Sequence, residues 1–228
     1  MGRDMEIRAA VFDLDGLMID SERVVMYAWN VAGNRLGYGD LGENLYHTLG
    51  MSRKSREAYF REKYGKDFPF EVFSRENRQA FMDYAARHGI PARKGLHEIL
   101  EILRELKLPL AVATSSSREY ALGQLGEHRI LGYFREIVTG DMVEKAKPSP
   151  EIYQKACELL ACPPGKAVAL EDSVNGILAA HYAGMLPVLI PDLAHDLRDV
   201  EGILAGKFAD LGEAGRWIAG QAGCGGAL

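Results

Sequence analysis

The sequence predicts an α/β fold in which a parallel β-sheet is interrupted by an all-helical insertion. From residue 95 onward, short apolar runs alternate with helical patterns, which is typical of βαβ units and a parallel sheet. An earlier apolar run, Ile7–Phe12, predicts a first buried strand, and the segment 13–16 that follows it predicts a tight turn. Residues 20–90 lie between these two parts and contain helical patterns but no convincing strand.

The elements after residue 90 complete the predicted parallel sheet of the core domain. Further buried strands are expected at Pro109–Thr114, Arg135–Thr139, Ala167–Leu170 and Leu186–Ile190. Helices are expected at about 96–107, 117–128, 149–160, 173–183 and 211–219. The Gly- and Ala-rich tail, 220–228, is expected to fray. We therefore assign residues 1–19 and 91–228 to a Rossmann-like α/β core domain.

Residues 20–90 predict a second domain that consists of helices alone. Helical patterns lie near 20–36, 43–48, 53–64 and 70–88, and glycines together with Pro69 separate them. The insertion therefore leaves the sheet after its first strand and returns before its second.

Composition and charge limit the kinds of partner. The chain has 228 residues, of which 47% are hydrophobic and 26% charged, with a net charge of −5. The chain therefore lacks the general basic surface that nucleic-acid binding requires, and no run approaches membrane-spanning length. Cys157, Cys162 and Cys224 lack the spacing of a metal site and do not imply disulfides. We expect a cytoplasmic protein, a monomer or weak homodimer, that acts on a small metabolite.

Two carboxylates follow the first predicted strand. Asp13 comes directly after the apolar run, and Asp15 and Gly16 complete the turn. Ligands of open α/β sheets bind at the carboxyl ends of the strands, so both acids are candidates for chemistry. A carboxylate such as Asp13 can attack phosphorus, while Asp15 can serve as general acid and then general base. An ordinary acidic turn explains this tetrapeptide equally well when it is taken alone.

A hydroxyl group ends the second predicted strand. Thr114 and Ser115 precede a helix, and a hydroxyl beside a helix N-terminus is suited to hold a phosphate oxygen together with backbone N–H groups. The simpler alternative is that these residues only cap the helix, a role that Ser116 or Ser117 can fill.

A lysine precedes another predicted helix. Lys147 is restricted by the proline that follows it and can neutralise a transferring phosphoryl group. Lys145 lies nearby but has no adjacent proline, so Lys147 is the better candidate.

A second acid pair, Glu171 and Asp172, follows the strand predicted at Ala167–Leu170. Buried carboxylates are costly unless a cation meets them. If these acids share one sheet edge with Asp13 and Asp15, their repulsion requires a divalent ion, and all-oxygen ligands around a phosphate suit Mg²⁺.

Together these segments resemble the haloacid-dehalogenase superfamily, in the branch with a helical cap after the first strand. The resemblance spans nearly the whole chain. It is carried by Phe12-Asp-Leu-Asp-Gly-Leu-Met-Ile-Asp-Ser-Glu22, Ala111-Val-Ala-Thr-Ser-Ser116, Lys147-Pro-Ser-Pro-Glu-Ile-Tyr153 and Leu170-Glu-Asp-Ser-Val-Asn-Gly176.

The resemblance implies a role for each of these polar residues. Asp13 is then the nucleophile and a metal ligand, and Asp15 transfers protons while its main-chain carbonyl binds the metal. Thr114 holds the transferring group and Lys147 offsets its charge. The remaining two acids complete a Mg²⁺ site, Asp172 directly and Glu171 directly or through water.

The resemblance also implies that residues 20–90 form a cap domain that selects the substrate. Gly50-Met-Ser-Arg53 resembles a cap loop of sugar-phosphate members, so Arg53 is expected to hold a distant anionic group. The alternative is that Arg53 is only a solvent-exposed charge at the start of a helix. Glu22 and His47 are candidate contacts for substrate hydroxyls, whereas Trp29 is expected to pack inside the domain.

The expected function is Mg²⁺-dependent hydrolysis of a small phosphomonoester through an aspartyl-phosphate, and two alternatives remain. A β-phosphoglucomutase is similar throughout the core, but such mutases carry a histidine and a lysine where this chain has Val25 and Leu49. A non-enzymatic receiver domain also uses an aspartyl-phosphate. Receiver domains lack a helical cap and an acid equivalent to Asp15.

Overall fold

The computed structural model describes residues 6–48, 51–192 and 198–222. The chain divides into two compact units. The core unit comprises Met1–Ile19 and Ala92–Leu228, and the helical unit comprises Asp20–Pro91. No helix in the described ranges has both the length and the apolar character needed to cross a bilayer.

The core unit is built on a parallel sheet of six strands in the order β3-β2-β1-β4-β5-β6. The strands are β1 Ala9–Phe12, β2 Leu110–Ala113, β3 Glu136–Val138, β4 Ala167–Glu171, β5 Leu186–Leu189 and β6 Gly206–Lys207. The predicted fold class is thereby confirmed. The short edge strand β6 was not expected, because two residues are too few to produce a hydrophobic pattern.

Five longer helices accompany the sheet in the core unit. They are α5 Leu96–Glu105, α6 Arg118–Glu127, α7 Glu151–Leu159, α8 Val174–Tyr182 and α9 Leu211–Ala222. The expectation of a frayed tail was wrong for residues 220–222, which continue α9, and residues 223–228 lie outside the described part. Ile218 is fully buried on this helix, so packing extends it beyond the predicted end.

Strand β1 lies at the centre of the sheet and is buried along its whole length. Its apolar sequence, without polar alternation, is typical of a parallel strand that is covered on both faces. Phe12 pairs with Val112 of β2 on one side and with Leu170 of β4 on the other. The residues that follow these three positions therefore reach the same edge of the sheet together.

The described residues of the helical unit form four α-helices around an aromatic core. They are α1 Ser21–Arg35, α2 Leu45–Thr48, α3 Arg53–Tyr64 and α4 Phe70–His88. Phe60 of α3 is fully buried, with its ring centroid 5.4 Å from that of Trp29 and 5.0 Å from those of Phe68 and Phe73. Such aromatic pairs add to the free energy that burial of their area already supplies. Trp29 therefore packs inside the unit, as expected.

A buried amide joins the turn before α2 to α3. The Asn44 side chain accepts hydrogen bonds from Lys63 Nζ at 2.7 Å and from Tyr59 Oη at 3.0 Å, and it donates to the Leu41 carbonyl at 2.7 Å. Because its polar atoms are satisfied, the amide can be buried without the usual desolvation penalty.

We expect Phe60→Ala to lower the free energy of unfolding of the protein by about 3–5 kcal/mol, because it removes the ring that six other aromatic side chains contact. Urea denaturation followed by circular dichroism measures the loss. Met82→Ala on α4 is the matched control, since Met82 is 57% exposed and its truncation should change stability by less than about 0.5 kcal/mol. Equal losses in the two variants would contradict the aromatic core.

Candidate active site

Four polar side chains meet at the carboxyl ends of the central strands of the core unit. Asp13 follows β1, Thr114 follows β2, and Glu171 ends β4 with Asp172 directly after it. All four are buried. The alignment of β1 with both neighbours places them side by side at the sheet edge where ligands of α/β folds bind.

One ammonium group joins two of these carboxylates. Lys147 Nζ lies 2.7 Å from Asp13 Oδ1 and 2.6 Å from Glu171 Oε1, and it also donates to the Ala113 carbonyl at 3.0 Å. Its side chain is 8% exposed. Lys145, by contrast, is exposed. The preference for Lys147 over its neighbour therefore agrees with the geometry.

The buried cluster carries more negative than positive charge. Asp13, Glu171 and Asp172 each offer an oxygen, and these oxygens lie within 4.8 Å of one another. The pKa of Asp13 is raised to about 7: burial raises it most, Lys147 lowers it, and the charges of Glu171 and Asp15 contribute to the rise. Burial alone would lower the pKa of Lys147, but the two carboxylates raise it above its usual value. With all groups ionised, the three acids exceed the single ammonium by two charges.

An all-carboxylate set with an excess of two negative charges fits a hard divalent cation. Such ions bind oxygen ligands, and a bound cation would remove the cost of the buried, uncompensated charge. The donor set and its burial therefore fit the Mg²⁺ site that the resemblance implies.

Two glycines allow the backbone to approach these acids closely. Gly16 has a φ of +78°, and a Cβ added there would lie 2.3 Å from Asp172 Oδ2. A Cβ on Gly176 would lie 2.0 Å from both carboxylate oxygens of Glu171. Any larger residue at either position would displace a carboxylate of the cluster.

The side chain of Asp15 is held by two residues that the sequence did not single out for this role. Ser116 Oγ donates a hydrogen bond to Asp15 Oδ2 at 2.7 Å, and Tyr120 Oη donates to Asp15 Oδ1 at 3.1 Å. Burial and then the Asp15 charge raise the pKa of Tyr120, so its hydroxyl keeps its proton and remains a donor. No sequence signal marks Tyr120, because it lies one helical turn beyond the motif.

Glu171 has two further partners. Tyr153 Oη donates to Glu171 Oε1 at 2.5 Å, and Ser173 Oγ donates to Glu171 Oε2 at 3.2 Å. Burial, followed by the charge of Glu171, raises the pKa of Tyr153 well above its usual value. Glu171 is therefore engaged through both oxygens, and its contact with Lys147 makes it a support for that lysine as well as a candidate metal ligand.

The hydroxyl segment after β2 divides its roles among its residues. Thr114 is 1% exposed, and its Oγ1 accepts a hydrogen bond from the Ser116 backbone N–H at 3.1 Å. Ser117 caps α6 by accepting from the Tyr120 N–H. Ser115, the predicted substrate contact, is exposed. Ser117 is thus the residue that caps α6, and Thr114 lies at the end of β2.

The residues between 20 and 90 that were predicted to contact the substrate lie in the helical unit. Arg53 begins α3 and pairs with Glu71 at 2.6 Å, with 63% of its side chain exposed. Glu22 is partly buried on α1, and His47 is exposed. The predicted loop position Gly50 and the mutase-type position Leu49 lie outside the described residues.

The chain is similar to several known proteins. A family model described as haloacid dehalogenase-like hydrolase matches residues 10–190. Protein CbbY of Cereibacter sphaeroides is 32% identical, with 90% of this chain and 94% of that protein covered. A phosphorylated carbohydrates phosphatase of Thermotoga maritima is 28% identical, with 89% and 93% covered. A solved HAD family hydrolase from Deinococcus radiodurans R1, with bound phosphate and sodium, aligns with a TM-score of 0.79 at 26% identity and covers 95% of this chain and 98% of its own.

We expect Lys147→Met to lower the free energy of unfolding by about 3–5 kcal/mol at about pH 8, because it leaves buried carboxylates without their cation. Urea denaturation in the presence of EDTA measures this loss. Lys145→Met is the matched control, because Lys145 is exposed and should contribute less than about 1 kcal/mol.

The loss should be smaller at about pH 6. The folded pKa of Asp13 lies above the unfolded value, so this carboxyl makes the fold less stable as the pH rises towards about 7. Removal of the ammonium raises that pKa further and extends the destabilisation to higher pH. A loss that is equal at both pH values would contradict this electrostatic account.

Proposed function

Because the chain belongs to the haloacid dehalogenase-like hydrolases, we propose that it is a phosphatase that hydrolyses a small, sugar-phosphate-like phosphomonoester. The family predicted from the sequence motifs is thereby confirmed, and so is the assignment to hydrolytic enzymes. The observation that carries the proposal is the Asp13 carboxylate, held 2.7 Å from Lys147 at the carboxyl end of the central strand.

In the proposed reaction, Asp13 attacks the phosphorus atom of the ester. The bond between phosphorus and the ester oxygen breaks, and the departing oxygen takes the proton of Asp15, which yields the free alcohol and an aspartyl-phosphate. Asp15, now ionised, accepts a proton from water, and the water oxygen attacks the same phosphorus atom. The bond between phosphorus and the Asp13 oxygen breaks, inorganic phosphate leaves, and both carboxyl groups return to their starting states.

Lys147 and Thr114 would stabilise the transferring group. The ammonium already faces Asp13, so it can offset the charge that develops on the phosphoryl oxygens without further reorganisation. The Thr114 hydroxyl lies at the adjacent strand end, and the exposed Ser115 is a candidate contact for the phosphate. Positioning and charge compensation would then supply most of the rate, as expected for phosphoryl transfer.

The proposed cofactor is Mg²⁺, held by Asp13, Asp172 and the main-chain carbonyl of Asp15, with Glu171 as a direct or water-bridged ligand. When bound, the ion would neutralise negative charge on the cluster and on the substrate phosphate. The buried acidic cluster of Asp13, Glu171 and Asp172 supports a divalent metal at this place, and the phosphate bound in the Deinococcus hydrolase supports a phosphate ligand.

Ser116 and Tyr120 would act as positioning residues for Asp15. Two hydrogen bonds to one carboxylate restrict its rotation, so the proton donor is already positioned before the substrate binds. The helical unit would serve as the cap that selects the substrate, with Arg53 and Glu22 as candidate contacts. The phosphorylated carbohydrates phosphatase of Thermotoga maritima supports a sugar-like substrate.

We expect Mg²⁺ to raise the melting temperature of the purified protein, because a ligand that binds only the folded state stabilises it by about 2.7 kcal/mol at 100 times its Kd. Asp172→Asn should remove the shift, whereas Glu144→Gln, an exposed acid nearby, should keep it. The shift should grow from about pH 6 to about pH 8, since protons compete with the metal for Asp13, whose pKa is about 7. An unchanged shift in Asp172→Asn would contradict the proposed ligands.

We expect the wild-type protein with Mg²⁺ to release inorganic phosphate from at least one member of a panel of sugar phosphates, nucleotides and phosphoglycolate. Asp13→Asn should retain less than about a hundredth of that rate, because an amide is too poor a nucleophile for phosphorus. Asp199→Asn is the control, since Asp199 is an exposed acid of the same unit. Comparable rates in the two variants would rule out covalent catalysis by Asp13.

Phosphorus NMR of β-glucose 1-phosphate separates the phosphatase from the mutase alternative. The phosphatase accumulates inorganic phosphate with little glucose 6-phosphate, because Val25 can neither relay a proton nor bind a phosphate at the position where mutases carry a histidine. The mutase alternative would replace the proposal if glucose 6-phosphate formed more than about tenfold faster than inorganic phosphate. That ratio corresponds to a difference of about 1.4 kcal/mol between the two activation barriers.

A further inference from the structure

The C-terminal end of α7 brings two cysteines together. Ala161 has a φ of +51°, and its N–H donates to the Glu158 carbonyl at 2.9 Å. The next N–H, that of Cys162, donates to the Cys157 carbonyl at 3.0 Å. These two hydrogen bonds define a Schellman motif, in which the residues at the positions of Cys157 and Cys162 commonly pack against each other. The spacing of the two cysteines in the sequence does not predict a metal site, so only the geometry of the helix end shows the pair.

The two thiols share one environment in the core unit. Both cysteines are buried in the same hydrophobic cluster, and neither forms a disulfide. The pKa of Cys157 is raised to about 12, first by burial and then by the charge of Cys162, so the two sulfurs are close enough to interact. Both side chains also line a surface groove of about 490 Å³. The groove gives a small ion a route to the pair.

Positive charge lies beside Cys162. Burial raises the pKa of this thiol, whereas the charges of Arg8 and Lys166 lower it, and Arg8 has the larger effect of the two. The Arg8 N–H donates to the Lys166 carbonyl at 2.8 Å, directly before β1 and β4 begin. Asp13 and Glu171 lie at the other ends of these two strands. The thiol pair is therefore at the sheet edge opposite to the candidate active site.

The number of available ligands limits the kind of metal. In the part of the chain that the structure describes, Asp13, Glu171 and Asp172 are the only set of three close ligand residues. Within the same part, no carboxylate, imidazole or further thiol therefore joins Cys157 and Cys162 at such short distances. A structural Zn²⁺ site requires four ligands, so two thiols are too few for it. Cu(I) is a soft cation that prefers sulfur ligands, and two thiolates complete a linear coordination.

We propose that Cys157 and Cys162 form a binding site for a soft monovalent cation, Cu(I) or an ion of the same chemistry. Two Cys–SH groups and one Cu(I) give one linear S–Cu–S unit, and each thiol releases its proton to the solvent as its sulfur binds the metal. The oxidation states do not change. The unit carries one net negative charge, which the neighbouring Arg8 and Lys166 offset.

The burial that disfavours free thiolates favours this occupant. A thiolate alone in an apolar environment lacks a compensating charge, whereas a thiolate bound to a cation is compensated directly. The site also differs in chemistry from the acid cluster, because carboxylates suit Mg²⁺ and thiolates suit Cu(I). The two sites therefore do not compete for one metal.

Transfer of Cu(I) to the protein tests the site. The parent protein is the full-length chain with Cys224→Ser, which removes the third cysteine. Cu(I) is supplied anaerobically as its coloured complex with bicinchoninate, with ascorbate as reductant, and loss of the colour measures the transfer. We expect the parent protein to take one equivalent of Cu(I). X-ray absorption at the copper edge should then show two sulfur neighbours.

Cys157→Ala and Cys162→Ala in this background should each weaken Cu(I) binding at least about a hundredfold, which corresponds to about 2.8 kcal/mol. Cys162→Ala decides the question if Cys157→Ala does not fold by circular dichroism, because Cys162 is the less buried of the two. Glu158→Gln and Gln154→Ala are the matched controls, since both side chains are exposed and line the same groove. We expect both controls to bind like the parent protein.

The proposal is overturned if the parent protein takes no Cu(I) from bicinchoninate, or if the absorption spectrum shows fewer than two sulfur neighbours. Control variants that lose affinity as the cysteine variants do would also overturn it. Zn²⁺ in excess should leave the transfer of Cu(I) unchanged, and inhibition by Zn²⁺ would contradict the set of two ligands. None of these measurements depends on phosphate release, so their outcome is distinct from a failure of the proposed function.

Discussion

A single buried ammonium, shared between two carboxylates at the end of the central strand, is the interaction on which the rest of the site depends. Lys147 contacts Asp13 and Glu171 at the same time. Asp13 directly follows β1, and Glu171 is the last residue of β4 in the same sheet. If Lys147 did not reach this edge, the acids would be buried without compensation, and burial would favour their neutral forms. Asp13, the proposed nucleophile, would then be protonated and inactive.

Neighbouring residues support this ion pair in two ways. Tyr153 and Ser173 donate hydrogen bonds to Glu171, which fixes the carboxylate that in turn holds Lys147. Gly16 and Gly176 leave room for the carboxylates where any Cβ would collide with them. The carboxylates of the cluster are therefore hydrogen-bonded and fit without steric clashes. An excess of negative charge remains, and a divalent cation is chemically suited to compensate it.

The two compact units carry opposite local charge in their described residues. In the core unit, Asp13, Glu171 and Asp172 outnumber the one lysine they surround. In the helical unit, Arg56 and Arg78 line a cavity without acids among the described residues. A metal and a phosphorylated ligand would supply the missing charges. Hydrolysis of a phosphomonoester is consistent with both requirements, since its substrate is an anion and its family generally uses a divalent metal.

The sequence by itself determined the fold class, the family and the residues of the acid and lysine cluster. Apolar strands without alternation predict a buried parallel sheet, and polar residues placed at their ends must meet at one edge because parallel strands share a direction. Asp13, Thr114, Lys147 and Glu171 could be found in this way, since each lies at the end of a recognisable element. Their roles in catalysis stay predictions.

Only the tertiary structure decided which partners surround those residues. Ser116 and Tyr120 reach Asp15 across more than 100 positions of sequence, and nothing local marks Tyr120 for that contact. The cavity that Arg56 and Arg78 line likewise assembles side chains from three helices, and whether a given arginine is paired, as Arg53 is, or unpaired, as Arg56 is, depends on those neighbours. Local patterns reflect backbone preferences and burial, whereas hydrogen-bond partners depend on the packing of elements distant in sequence.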